Sequence, residues 1–151
     1  MKITKGKVFL ALLVLLILMQ FIRIDKNNPP SDPAQDFVAV AKLDTEMATL
    51  VQGACYDCHS NQTTYPWYTN VAPLSFWIQN HIKGARKKLN FNEWGTYEAG
   101  RQKHQLDECV DAVDTKWMPL NSYTWLHPEA KLSAEDRAKL IAYFKSLGSK
   151  L

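Results

Sequence analysis

The stretch 53–70, GACYDCHSNQTTYPWYTN, carries two cysteines three residues apart, Cys55 and Cys58, and His59 directly follows the second. Upstream, Leu43, Met47, Leu50, Val51 and Ala54 recur at intervals of three and four, the spacing of one helix face. That stripe predicts a helix running into Cys55, with Asp44 or Thr45 as its cap. Helical spacing continues downstream. Leu74, Trp77, Ile78, His81, Ile82, Ala85 and Leu89 form a second apolar stripe, with Pro73 suited to the first helical position and Asn90 to the end. A third segment, about 97–113, places Leu106, Cys109, Val110 and Val113 on one face. A fourth, 133–147, turns Leu140, Ile141, Phe144 and Leu147 inward; Ser133 and Asp136 have capping-box spacing, and Gly148 ends the segment. No alternating strand-like run and no repeat appears. The expectation is an all-α domain of about four helices with two long loops, 60–72 and 115–132. Loops of that length in a compact domain usually have a function.

The N-terminus is of a different kind. Lys2, Lys5 and Lys7 precede VFLALLVLLILMQFI, residues 8–22, and Arg23 and Asp25 close the run. Lysines before an apolar run are the layout of a secretory signal. No A-x-A-like cleavage pattern follows in RIDKNNPPSDPAQ, and no cysteine offers a lipid anchor. Residues 8–24 sit at the lower end of the roughly 17–25 needed to span hydrocarbon. Residues 1–24 are therefore expected as an uncleaved signal anchor, a membrane helix crossing the inner membrane once. The lysines would stay in the cytoplasm and the remainder would lie on the periplasmic side. A soluble periplasmic domain after cleavage is the alternative. The polar, proline-rich residues 25–36 read as a linker, and 37–148 as the domain. Of 18 basic residues, four precede Asp25, and all 15 acidic residues lie at or beyond it. The domain is thus close to neutral, and nucleic acid is not an expected partner.

Four chemistries use a pair of cysteines at this spacing. A disulfide leaves His59 without a role. A redox dithiol of the thioredoxin kind wants a strand before it and a βαβ context. Zinc needs four ligands; a second CxxC is missing, and Cys109 would have to join from far along the chain. Covalent haem uses every element: Cys55 and Cys58 as thioether positions on the haem vinyl groups, and His59 as the proximal iron ligand. One haem c, covalently bound, is the expected cofactor, and an exported compartment agrees with it.

The distal iron ligand is less plainly written. Met118 lies in KWMPLNSY, residues 116–123, in the second long loop, before Pro119 and away from any helical stripe. It is the expected ligand, set against the commoner fate of methionine as core filler. His81 is the alternative; on its apolar stripe a buried histidine needs a partner, and a plain core role suits it best. Met47 reads as core, His127 as a turn residue before Pro128, and His104 as exposed. KGARKK, residues 83–88, is a solvated helix end favoured by the dipole, with Arg86 as a candidate for a haem propionate. Cys109 reads as a small buried hydrophobe.

The CxxCH at 55–59, the Asn-Phe-x-x-Trp at 90–94, the Met-Pro at 118–119 and the His-Pro-x-Ala-x-Leu-Ser at 127–133 occur in this order. Together they resemble the small bacterial haem-binding domain family related to cytochrome c, over about residues 37–147. The resemblance implies a cytochrome c-like fold with haem at the CxxCH, hence on Cys55, Cys58 and His59. The expected function is a one-electron carrier with a His/Met-ligated haem, held at the membrane beside redox partner proteins, rather than an enzyme. The alternative is a haem-based peroxidase or a gas or redox sensor with an open distal site.

Overall fold

The computed structural model describes residues 4–151, so Lys2 lies outside the described residues. Among the described residues the secondary structure is helical throughout, without a strand. An N-terminal helix α1 spans Lys5–Met19, and a short α2 spans Phe37–Val40. Helix α3, Thr45–Val51, is capped by Asp44, whose Oδ1 accepts the Met47 N–H at 2.8 Å. It passes without a break through a π-helical turn, Gln52–Tyr56, into the single turn α4, Asp57–His59. Cys55 therefore sits on the widened turn, a local geometry that recurs at functional sites.

Helix α5 spans Leu74–Lys88, α6 Ala99–Asp114, α7 Asn121–Thr124 and α8 Ala134–Gly148. The expected capping box forms: Ser133 Oγ accepts the Asp136 N–H at 3.0 Å, and Asp136 Oδ2 accepts the Ser133 N–H at 3.0 Å. The two long loops are punctuated by short helical turns, at Trp67–Asn70 in the first and at α7 and Pro128–Ala130 in the second.

Helices α6 and α8 pack along each other, and α3 closes against α8. Between them lie the inward residues of the sequence stripes, with Val51, Leu106, Leu140 and Phe144 almost wholly buried. Phe37 completes this core, its ring 5.1 Å from Phe91 and 4.8 Å from Trp94. Burial of an aromatic side chain at such a position is worth about 3–5 kcal/mol against alanine. A buried polar chain braces the motif from the same side. Asp36 accepts the Tyr56 hydroxyl at 3.0 Å and the Asn92 amide at 2.6 Å; Asn92 Oδ1 in turn accepts the Asn61 N–H at 2.7 Å. The backbone leaving the CxxCH is thereby tied to the 91–96 turn.

The membrane helix expected at the N-terminus is not borne out. Helix α1 has 15 residues, which at 1.5 Å per residue span about 22 Å, short of the roughly 30 Å of bilayer hydrocarbon. No helix among the described residues is long and apolar enough to cross a membrane. The physical reason lies at Gln20. Its side-chain amide donates to the Leu16 carbonyl at 2.8 Å and to the Ala72 carbonyl at 3.0 Å, and accepts the Ala72 N–H at 3.0 Å. Arg23 then donates to the Asn70 carbonyl. Residues 20–24, expected to extend the span, instead turn onto the first long loop. The segment read as a linker follows suit, with Lys26 on Asn70 Oδ1 and Asn28 on the Thr63 carbonyl.

Candidate haem site

His59 ends α4, and the extended conformation of Ser60 turns the chain away behind it. The His59 ring points toward the end of α5, where Nδ1 lies 3.1 Å from the Leu89 carbonyl oxygen. A carbonyl only accepts, so Nδ1 carries the proton and Nε2 keeps its lone pair. Burial lowers the His59 pKa, opposed by hydrogen bonds to the Leu89 and Ala85 carbonyls. The ring is thus held neutral and oriented, the state a metal ligand requires.

Cys55, Cys58 and Cys109 are free thiols. Burial pushes Cys55 up to about 12, with Cys58 adding to the shift. It pushes Cys58 up to about 11, with Asp57 adding and Arg86 opposing. Both are therefore thiols rather than thiolates at neutral pH, poorly reactive until something is brought to them.

What they face is a cavity of about 350 Å³ whose lining includes Cys55, Cys58, His59, Met118 and Tyr123. Gly84 and Ala85 of α5 also line it. A Cβ added at Gly84 would meet nothing within 4 Å, so the helix surface there is open to a large flat group. A second space of about 100 Å³ is again lined by Cys55, His59 and Met118, together with Phe91 and Cys109. Two thiols, an imidazole with a free lone pair and a thioether converge on adjoining, largely apolar space. This donor set and this space fit a haem.

Met118 is placed by the chain reversal after α6. Lys116 adopts a left-handed conformation, φ 59°, at the helix end. The Met118 N–H then donates back to the Ala112 carbonyl at 2.9 Å. Arg137 of α8 clamps the reversal with one nitrogen, Nη1, donating to the carbonyls of Val113 and Met118, each at 2.9 Å. The expected pair, His59 and Met118, is thus brought to the same two spaces.

His81 is placed otherwise than the stripe suggested. It is exposed, its Nδ1 3.2 Å from the Trp77 carbonyl and its ring 4.1 Å from that of Trp77. It borders the large cavity but not the smaller one shared by His59 and Met118. The face of α5 formed by Leu74, Trp77 and His81 looks apolar in sequence because it lines a cavity wall, not the protein core. Arg86 is likewise already engaged. It donates to the Ser60 carbonyl, Asn28 and Thr63, so it secures the loop after the motif. Cys109 is half-buried and packs against the core, beside Cys55. His104 is exposed, as expected. Sequence reasoning missed Leu89, Gly84 and Arg137. Leu89 and Arg137 act through a backbone oxygen or from a distant helix, and a lone glycine in a helical run carries no signal of its own.

A neutral, oriented histidine and two thiols on the wall of one cavity of about 350 Å³ are the features expected of a haem-binding module. The chain matches the haem-binding domain family over residues 14–146 and belongs to that family. No curated protein and no solved structure matches it.

Proposed function

We propose that this protein is an exported c-type haem protein that carries one electron at a time. Cys55 and Cys58 are its thioether positions, His59 its proximal ligand and Met118 its distal ligand. The observation that carries the reading is the shared position of His59 and Met118 on both spaces beside the cysteines. Bound there, the haem would supply one-electron chemistry between ferric and ferrous iron, and a thioether ligand would raise its potential. The rest is the work of the polypeptide. The Leu89 carbonyl fixes the His59 tautomer, and Arg137 holds the Met118 turn in place. Apolar residues around a bound haem would limit the water near the iron, so that a change of charge would need little rearrangement. The lysines and apolar run at the N-terminus support export, and the partners of such a carrier are other redox proteins. The relation to cytochrome c rests on the CxxCH and the Met-Pro loop.

The test is the spectrum of the reduced holoprotein with and without carbon monoxide. A closed His/Met iron ignores the gas. Immediate carbon monoxide binding would overturn the carrier reading in favour of a peroxidase or sensor with an open distal site.

A further inference from the structure

A space of about 240 Å³ lies between the segment that follows α1 and the start of α5. It shares no lining residue with either of the spaces assigned to the haem. Two cations border it, Arg23 and Lys26, and no acidic residue does. Ile22 and Ile24 supply its apolar part.

Asn70, which also lines the space, holds both cations in place. Its carbonyl accepts from Arg23 Nη1 at 3.1 Å, and its Oδ1 accepts from Lys26 Nζ at 2.6 Å. Each contact uses one donor, where a guanidinium has five and an ammonium three. Neither cation is paired with a carboxylate among the described residues. Asp25, between them in sequence, accepts the Asn27 N–H at 2.9 Å and does not line the space. The Thr69 hydroxyl and the Asn70 amide are satisfied, donating to the Pro66 and Trp67 carbonyls. Ser75 differs. It is only 3 % exposed and its N–H donates to the Val71 carbonyl, but its hydroxyl has no hydrogen-bond partner among the described residues. Buried hydroxyls ordinarily have one. No fully enclosed side-chain polar atom lacks a partner among the described residues, so this hydroxyl opens into the space that Ser75 lines. Ser75 is also the second residue of α5, which puts the space at the positive end of that helix's dipole.

We propose that Arg23, Lys26 and the Ser75 hydroxyl bind a phosphate group, free or carried by a lipid headgroup. Two fixed cations, a hydroxyl and a helix N-terminus supply donors from both segments, which suits an oxyanion with several acceptor oxygens. The space is several times the roughly 30 Å³ share of one water, so it is large enough for the whole group. The site is independent of the haem reading.

The experiment is calorimetric titration of the full-length holoprotein with inorganic phosphate and, separately, with dihexanoylphosphatidylglycerol below its micelle-forming concentration. Low ionic strength is used because salt screens exposed charges. At least one probe should bind with one equivalent, and sodium nitrate at the same ionic strength should not. Binding of inorganic phosphate shows that the free group suffices; binding of the lipid alone assigns a headgroup. Arg23→Gln and Lys26→Gln should each weaken binding about tenfold, the loss of a hydrogen bond to a charged group. Ser75→Ala should weaken it several-fold, and Lys150→Gln, at an exposed cation near the C-terminus, should leave it unchanged. The visible spectrum of each sample reports the haem site separately and should be unchanged. Binding of neither probe by a wild-type sample with an intact spectrum would overturn the proposal while leaving the haem reading untouched. Equal binding of nitrate, or binding indifferent to the Arg23, Lys26 and Ser75 variants, or binding weakened as much by Lys150→Gln, would overturn it as well.

Discussion

His59 Nδ1 lies 3.1 Å from the backbone oxygen of Leu89, the residue at which α5 ends. The motif therefore depends on a carbonyl thirty residues away to hold its imidazole in one tautomer. The expected outcome is a His59 Nδ1 proton that exchanges slowly with solvent in the reduced holoprotein, measured by nitrogen-edited NMR. Rapid exchange would mean that the ring is free to turn and that Leu89 does not orient it.

Met118 and His81 make different iron sites. A thioether is a softer donor than imidazole and stabilises ferrous iron. The oxidised protein should show the weak near-infrared sulfur-to-iron charge-transfer band. Met118→Ala should erase it, lower the potential and admit carbon monoxide. His81→Ala should leave the band in place, because His81 is exposed and stacked on Trp77. A band that survives Met118→Ala and disappears in His81→Ala would reverse the assignment.

Arg137 holds the Met118 turn from α8 through the carbonyls of Val113 and Met118. Arg137→Ala removes both hydrogen bonds of Nη1, and their loss should cost about 1–3 kcal/mol in denaturant unfolding. The near-infrared band should also weaken at a lower temperature than in the wild type, before global unfolding. Loss of stability without early loss of the band would make Arg137 a purely structural clamp.

The capping box gives α8 an acid-sensitive start. Hydrogen bonds from the Ser133 hydroxyl and N–H hold the Asp136 carboxyl below its ordinary value of 3.8. A depressed folded pKa contributes stability that is present above the unfolded pKa and lost as pH falls through the folded one. The stability difference between wild type and Asp136→Asn should therefore be constant near neutrality and shrink as pH falls below about 4. Ser133→Ala should cost about 1 kcal/mol at neutral pH. A wild-type advantage that grows on acidification would contradict the assigned role of Asp136.

The helices were legible because their stripes are regular and their ends carry local signals, as with Asp44 at α3 and the Ser133–Asp136 pair at α8. The CxxCH was legible because all its parts are contiguous. Three things were not. The length of α1 depends on Gln20 meeting Ala72, a contact 52 residues distant that hydropathy does not encode. The exposure of His81 was hidden because an apolar stripe reads the same whether it faces a protein core or lines a cavity. The contacts of Tyr123 with Asp57 and of Tyr68 with His127 join both long loops and the motif itself, so spacing along the chain gave no hint of them.

The central claim is that a haem is bonded to Cys55 and Cys58, and intact mass spectrometry of the denatured full-length protein tests it most directly. The polypeptide mass should be increased by one haem, an increase unchanged in Cys109→Ala and absent when Cys55 and Cys58 are both replaced by alanine. A bare polypeptide mass, with all the haem extracted into acidified organic solvent, would contradict it.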